Sequence, residues 1–228
     1  MGTPALWIVV FLAILLLGSL VYWLLVTTEG VYLGPRVVAW LYDLVAHKYD
    51  RIKEFDPQEE AFLVGRPLLN GLANIQQPHI LDIATGAGRV PAVIGPAVAR
   101  LKGRLIGLDA SAGMLAQAKA KVDNPVVAFV RGTAVALPLP PASFDGVVCL
   151  EALEFFPSDE AAVQEMARVL RPGGFLMLTR RVGWEGKAFL TRYRSERALQ
   201  EMLTAAGFNE IGFHLWLQNY DLVTGRKA

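Results

Sequence analysis

Beyond Pro57 the chain alternates short apolar runs with helical patterns, and this alternation constrains the fold more than any other feature. HILDIA precedes RVPAVIGPAVARL, RLIGLD precedes SAGMLAQAKAKV, and VVAFVRG stands alone. FDGVVCLEA then precedes SDEAAVQEMARVL, and GFLMLTR precedes SERALQEMLTAAG. Near-continuous apolar strands separated by helices predict a parallel sheet covered on both faces. The last segment, FNEIGFHLWLQNYDLVTGRKA, has two strands with no helix between them, which predicts a terminal hairpin through Gln218 and Asn219. Residues 58–228 contain no repeat or linker and read as one α/β domain. In open sheets of this kind ligands bind at the carboxyl ends of the strands, so the strand ends carry the candidate chemistry.

Ahead of that domain the chain carries no charge until Glu29: its 22 basic and 21 acidic side chains all lie between Glu29 and Ala228. The uncharged run Ala5–Val26 is long enough, at about 1.5 Å per residue, to cross a hydrocarbon core of about 30 Å as a helix. It lacks the basic start and the small-residue cleavage site of a signal peptide, so a single transmembrane helix over 5–26 is expected. Trp7, Tyr22 and Trp23 suit the two interfaces. Arg36, Lys48 and Arg51 follow the run and no Lys or Arg precedes it, which predicts a single-pass protein with its domain in the cytoplasm. A net charge of +1 excludes a strongly basic nucleic-acid binder. The lone Cys149 reads as a small buried core residue and leaves no partner for a disulfide or a multi-cysteine zinc site. His47, His79 and His214 share no ligand spacing, so no metal is expected.

Residues 27–57 form an amphipathic connecting segment. Gly34 and Pro35 open a helix whose Val37, Trp40, Leu41, Leu44 and Val45 recur at helical spacing. The stripe fits packing on the domain, favoured by flanking charges of mixed sign, or an interfacial helix or lid over a pocket facing lipid.

The first strand ends in LDIATGAGR, with Asp82 inside it and Gly86 and Gly88 in the turn before a helix, where glycine permits positive φ and close approach to a ligand. Pro91 stands where a dinucleotide fingerprint has its third glycine, which lowers a nicotinamide assignment. The second strand ends at Asp109, 21 residues after Gly88, where a carboxylate can accept from ribose hydroxyls. Ser111 is the expected N-cap of the next helix.

With LDIATGAG, IGLDASAGML, LPLPPASFDGVVCLEALEFF and RVLRPGGFLMLTR in this order, the chain resembles the class I S-adenosylmethionine-dependent methyltransferases, in particular the small-molecule and lipid-precursor branch, over about Gln77 to Arg181. The resemblance implies a Rossmann-like, doubly wound, seven-stranded sheet, mostly parallel with an antiparallel C-terminal hairpin. It implies that Asp82, Ala84, Gly86 and Gly88 line the methionyl and ribose part of S-adenosylmethionine and that Asp109 holds the ribose hydroxyls. Ala110 and Met114 would pack on adenine, beside Thr133 and Ala134. The family usually has Gly-Asp-Ala where this chain has Gly132, Thr133 and Ala134, so a neutral hydroxyl replaces a charged acceptor.

Methyl transfer from a sulfonium is an in-line displacement that chiefly needs alignment and exclusion of water. Glu151, just past the fourth strand, is the candidate catalytic side chain, set against a plain solvated loop carboxylate; Glu154 is assigned to the following helix. Arg180 and Trp184 after the fifth strand, beside Arg181, are candidates for meeting an acceptor head group, or ordinary rim residues. Tyr49 and Asp50 resemble the tyrosine-aspartate pair that often caps this pocket. The expected function is a membrane-anchored methyltransferase acting on a small or lipid-like acceptor. The alternatives are an inactive methyltransferase-like tethered binding or assembly partner and a nicotinamide-dependent oxidoreductase.

Overall fold

The structure, a computed structural model, describes residues 4–53 and 55–228 apart from the side chains of Asp50 and Ile52. Seven strands form one sheet: β1 His79–Ile83, β2 Arg104–Asp109, β3 Val127–Arg131, β4 Phe144–Cys149, β5 Leu170–Arg181, β6 Phe208–Leu217 and β7 Tyr220–Lys227. Their order is β3-β2-β1-β4-β5-β7-β6. β1 to β5 pair in parallel, and β7 runs antiparallel to both β5 and β6. The closing hairpin turns at Gln218 and Asn219, as its sequence predicts. Because the chain runs outward from β1 to β3 and then returns to β4 beside β1, the crevice between the ends of β1 and β4 is the topological switch point.

The described helices are α1 Pro4–Tyr22, α2 Pro35–Val45, α3 Tyr49–Lys53, α4 Pro57–Glu60, α5 Arg66–Gly71, α6 Arg89–Arg100, α7 Ala112–Lys121, α8 Asp159–Val169, α9 Gly183–Ala188 and α10 Glu196–Ala205. Alternate residues of each central strand point to opposite layers. Leu81, Val147, Cys149 and Leu176 meet Met166 of α8 and Leu199 of α10 on one face. On the other, Ile80, Val148 and Met177 meet Leu68 of α5 and Ile94 of α6. Cys149 is fully buried in this core. Serine side chains cap three helices: Ser111 Oγ accepts from Met114 N at 3.0 Å, Ser158 Oγ from Ala161 N at 3.0 Å and Ser195 Oγ from Ala198 N at 3.2 Å.

α1 continues through one wider turn, Trp23–Thr27, and no residue of the span Pro4–Thr27 is fully buried, Trp23, Leu24 and Thr27 at its foot being half-buried. By length and composition it is long and apolar enough to cross a membrane. Its foot is fixed to the domain. Trp23 Nε1 donates to Ala188 O at 3.2 Å, Tyr32 stacks on Trp23 with centroids 4.9 Å apart, and the Tyr32 hydroxyl donates to Phe189 O. α1 therefore leaves the domain at the carboxyl end of the sheet, beside the segment that follows β5.

The connecting segment is bent where the sequence predicts one helix. A 3-10 turn, Ala46–Lys48, separates α2 from α3 and lets both wrap over the switch point. The predicted stripe splits as a result: Leu41 turns inward, while Trp40 and Leu44 are 56% and 52% exposed. Asp43 pins α2 to the start of α7 by accepting from the Ser111 hydroxyl and from Gly113 N at 2.8 Å. A Cβ at Gly113 would lie 3.1 Å from Asp43 Oδ1 and 3.2 Å from Ala46 Cβ, so glycine is what allows this close docking.

Candidate functional site

A cavity of about 440 Å³ opens at the switch point, within the range of small-molecule sites. One end is made by the ends of β1, β2 and β4. Ala84 and Gly86 take positive φ of 56° and 54°, so the chain turns sharply after Ile83 and leaves its backbone facing the cavity. Gly86 N donates to Asp109 Oδ2 at 2.9 Å and Ser111 N to Asp109 Oδ1 at 2.8 Å. Asp109 thus ties the glycine loop to the end of β2 and keeps spare lone pairs on each oxygen. Burial raises its pKa above the ordinary value, with the Ser111, Gly86 and Ala110 amides drawing it back.

Asp82 lies deeper. Its Oδ2 and the neighbouring Thr85 Oγ1 are buried and lack a hydrogen-bond partner among the described residues. Burial pushes the Asp82 carboxyl up to about 7, with the Asp109 carboxylate adding to the rise and Arg89 opposing it. Orphaned buried acceptors cost free energy unless a ligand satisfies them, so this end of the cavity is built for a polar guest carrying donors.

Of the predicted site residues, Asp82, Ala84, Gly86, Asp109, Ala110, Thr133, Ala134, Glu151 and Tyr49 all line this one cavity. Gly88 and Met114 stand behind it. A Cβ at Gly88, whose φ is 80°, would sit 3.1 Å from Ala118 Cβ, so this glycine serves the packing of α6 against α7. Met114 is 1% exposed and packs with Ala46 and Ala87 under the bent segment. Arg180 is a further correction. Successive strand residues point to opposite faces, so Arg181 faces the cavity while Arg180 turns away to pair with Asp221 and to lie over Phe213 at 5.9 Å. Trp184, on α9, is 76% exposed and does not line the cavity. The side chain of Asp50 lies outside the described residues.

Glu151 is held as a fixed charge. Its Oε1 accepts from Arg89 Nη1 at 2.5 Å and its Oε2 from Lys53 Nζ at 2.9 Å. Burial alone would raise its pKa, yet Lys53 and Arg89 more than offset that and hold it below the ordinary carboxylate range. Arg89 also grips Glu60 through two hydrogen bonds of 2.7 and 2.8 Å, and its guanidinium lies over Phe55 at 4.4 Å and Trp216 at 5.3 Å. Sequence reasoning missed this cluster, although an arginine directly after the glycine loop was a visible signal. Glu154 is corrected as well: it does not serve the following helix but is buried, accepting from Arg181 and from the Tyr220 hydroxyl at 2.8 Å.

The other end of the cavity is apolar and aromatic. Leu25 from the foot of α1, Val38, Leu41 and Val45 from α2, and Phe155 line it. Tyr42 meets Tyr49 and Phe155 with centroids 6.2 and 6.1 Å apart and donates to Glu29 Oε2 at 2.7 Å. Burial raises the pKa of both tyrosines, so both stay neutral donors. Arg181 is enclosed by Phe189 at 4.5 Å and Tyr220 at 4.8 Å.

Residues 81–178 match a family described as a methyltransferase domain. The chain is 30% identical over 160 residues to the ubiquinone biosynthesis O-methyltransferase of Paracidovorax citrulli, covering 68% of this chain and 65% of that protein. It is 33% identical over 144 residues to the demethylmenaquinone methyltransferase of Beutenbergia cavernae, covering 63% and 58%. The matched region therefore spans less than two thirds of either relative. Among solved structures, the [4+2]-cyclase SpnF superposes with a TM-score of 0.69 at 20% identity over 85% of this chain and 96% of that one. An S-adenosylmethionine-dependent methyltransferase from Thermotoga maritima superposes at 0.59 and 21% identity over 82% and 98%. At these identities the superpositions establish the fold alone.

Proposed function

We infer that this chain, which belongs to the class I S-adenosylmethionine-dependent methyltransferases, transfers a methyl group to a small lipophilic acceptor drawn from a membrane that α1 crosses. The observation that carries this is the two-ended cavity. Its polar end, at Asp82, Gly86 and Asp109, is continuous with an apolar end reaching Leu25 at the foot of α1. The family's cofactor, when bound, supplies a methyl group activated on a sulfonium. The orphaned Asp82 Oδ2 and Thr85 Oγ1 fit its donors, and the spare lone pairs of Asp109 suit ribose hydroxyls. Ala110, Thr133 and Ala134 take the adenine side.

Tyr42, Tyr49 and Phe155 exclude water from the acceptor side and orient a planar or chain-like guest. Glu151, already balanced by two cations, does not serve as a base and instead holds α3 and α6 together across the site. Where the acceptor must lose a proton, the Tyr42–Glu29 pair receives it, since both members line the cavity, whereas the carboxylate of the Tyr220–Glu154 pair does not and is held by Arg181. The quinone-pathway names of the relatives support an acceptor with an apolar body. The cations that follow α1, Arg36, Lys48 and Arg51, support a cytoplasmic domain.

Calorimetry of S-adenosylmethionine binding tests the cofactor assignment, with Asp109→Ala as the control and NAD as competitor. Micromolar binding that weakens about 100-fold in the variant, as expected for losing charged hydrogen bonds worth about 1.5–3 kcal/mol each, is the expected result. Preference for NAD, or no binding by folded protein, overturns the assignment.

A further inference from the structure

The exposed apolar side chains of this molecule are distributed unevenly. Among the described residues outside the apolar span, most exposed large apolar residues belong to segments at the carboxyl end of the sheet, the end from which α1 emerges; Phe62, in the turn after α4, and Leu101 are set apart from them. On one flank of the α1 foot stand Leu33, Trp40 and Leu44, exposed at 45%, 56% and 52%. On the other stand Trp184, Leu190 and Leu215, exposed at 76%, 62% and 97%. β6 runs parallel to β5, because both are antiparallel to β7, so Leu215 near the end of β6 shares this end of the sheet. Leu101, after α6, lies at the opposite end, next to the start of β2.

The second flank is tied to α1 by specific bonds. Trp23 donates to Ala188 O and Tyr32 to Phe189 O, which sets the α9 segment against the emerging helix. Farther along, Val182 N donates to Asn219 O at 2.8 Å and Asn219 Nδ2 to Glu185 Oε2 at 2.7 Å, which joins α9 to the hairpin tip beside Leu215. Exposed Arg36 and Lys48 accompany the first flank and Lys187 the second. Isolated exposed apolar residues are ordinary on a soluble protein, but a set concentrated at one end, containing two tryptophans and bordered by charges of both signs, has the composition of an interfacial surface.

We propose that this end of the domain is a membrane-docking face, with α2 and the α9 segment seated in the headgroup region on either side of α1, so that the cavity mouth opens into lipid. The occupant is the bilayer because the face is continuous with the apolar span that enters it. The proposal rests on α1 crossing that bilayer. Docking holds the domain in one orientation, and an apolar acceptor then moves from the acyl region into the Leu25–Leu41 end of the cavity without passing through water.

The test places single nitroxides on the full chain in phosphatidylcholine and phosphatidylglycerol vesicles, through Leu190→Cys, Leu215→Cys, Leu101→Cys and Leu15→Cys, the native Cys149 being buried. Collision with oxygen and with a water-soluble nickel chelate is then compared by power saturation. Docking predicts that positions 15, 190 and 215 favour oxygen, with 190 and 215 nearer the surface, while 101 favours the chelate. If 190 and 215 behave like 101 while 15 remains in lipid, the docking face is refuted and the span survives. If 15 also favours the chelate, the membrane-spanning assignment itself fails. Exclusion of both quenchers at 190 and 215 would mean a protein contact, which also overturns docking.

Discussion

The cofactor end of the cavity is assembled locally, from Asp82 to the Gly86–Asp109 contact 23 residues apart, whereas the acceptor end depends on pairings such as Trp23 with Ala188, 165 apart. The chemistry differs in the same way. At the cofactor end two buried polar atoms are left without partners among the described residues. At the acceptor end polar groups are matched within the protein: Tyr42 with Glu29, Tyr220 and Arg181 with Glu154, and Arg89 with Glu60 and Glu151. A site with unmet acceptors selects a polar ligand by completing its hydrogen bonds. A site whose polar groups are already satisfied offers apolar surface and selects by shape and transfer out of water.

The sharpest break falls where the ends meet, at Arg89. Arg89→Met strands the buried Glu60 carboxylate and leaves Glu151 with Lys53 alone, and breaking a buried pair this way costs about 3–5 kcal/mol. A lowered urea midpoint with an unchanged m-value is the expected readout. Loss of activity without loss of stability would mean that Arg89 touches a ligand instead.

The two ends separate by pH. Native Asp82 keeps its proton up to about pH 7 against an ordinary value of 3.8. The ligand-free protein therefore binds more protons than its unfolded chain between those values, and its stability falls as pH rises through that window and levels off above it. The cofactor's ammonium needs the ionised carboxylate, so affinity for S-adenosylmethionine rises with pH up to about 7, by at most about tenfold per unit. Asp82→Asn flattens both curves. Calorimetry from pH 5.5 to 8 checks this, and a slope retained in the variant would assign the titration to another group.

A smaller effect isolates the acceptor end. Leu41→Gln places an amide in the apolar wall and raises KM for a lipophilic acceptor about tenfold, the order of one apolar side chain's transfer energy, with the cofactor Kd unchanged. A shifted cofactor Kd would mean that α2 shapes both ends. The smallest effect sharpens the contrast: Thr133→Asp restores a charged acceptor beside adenine and tightens the cofactor about fivefold, for about 1 kcal/mol.

Legibility in the sequence follows the same division. The seven strands and helices α6, α7, α8 and α10, the hairpin at Gln218 and Asn219, the Ser111 cap and the burial of Cys149 were readable because each depends on local pattern, whereas the short α4, α5 and α9 were not. Asp82, Gly86 and Asp109 reached one cavity because the strand ends of such a sheet converge. Arg180 was chosen over Arg181 because strand parity decides which of two adjacent arginines faces the site, and the register of β5 with β7 sets that parity. Glu154, Arg89 and Glu60 find partners far along the chain, and no spacing reports such pairings. The 3-10 turn at Ala46–Lys48 interrupts the single helix expected there, and the contact of Asp43 with Gly113 that docks α2 lies across the fold, where no local pattern reports it.

The central claim is that one cavity takes its cofactor from water and its acceptor from lipid. The most direct test is transfer of labelled methyl from S-adenosylmethionine by the full chain in vesicles, comparing a long-tailed quinol with its tail-less analogue. The account predicts that the membrane-resident quinol is methylated with a kcat/KM at least about tenfold higher, and that Leu41→Gln narrows the gap. Equal or faster methylation of the water-soluble analogue would contradict it.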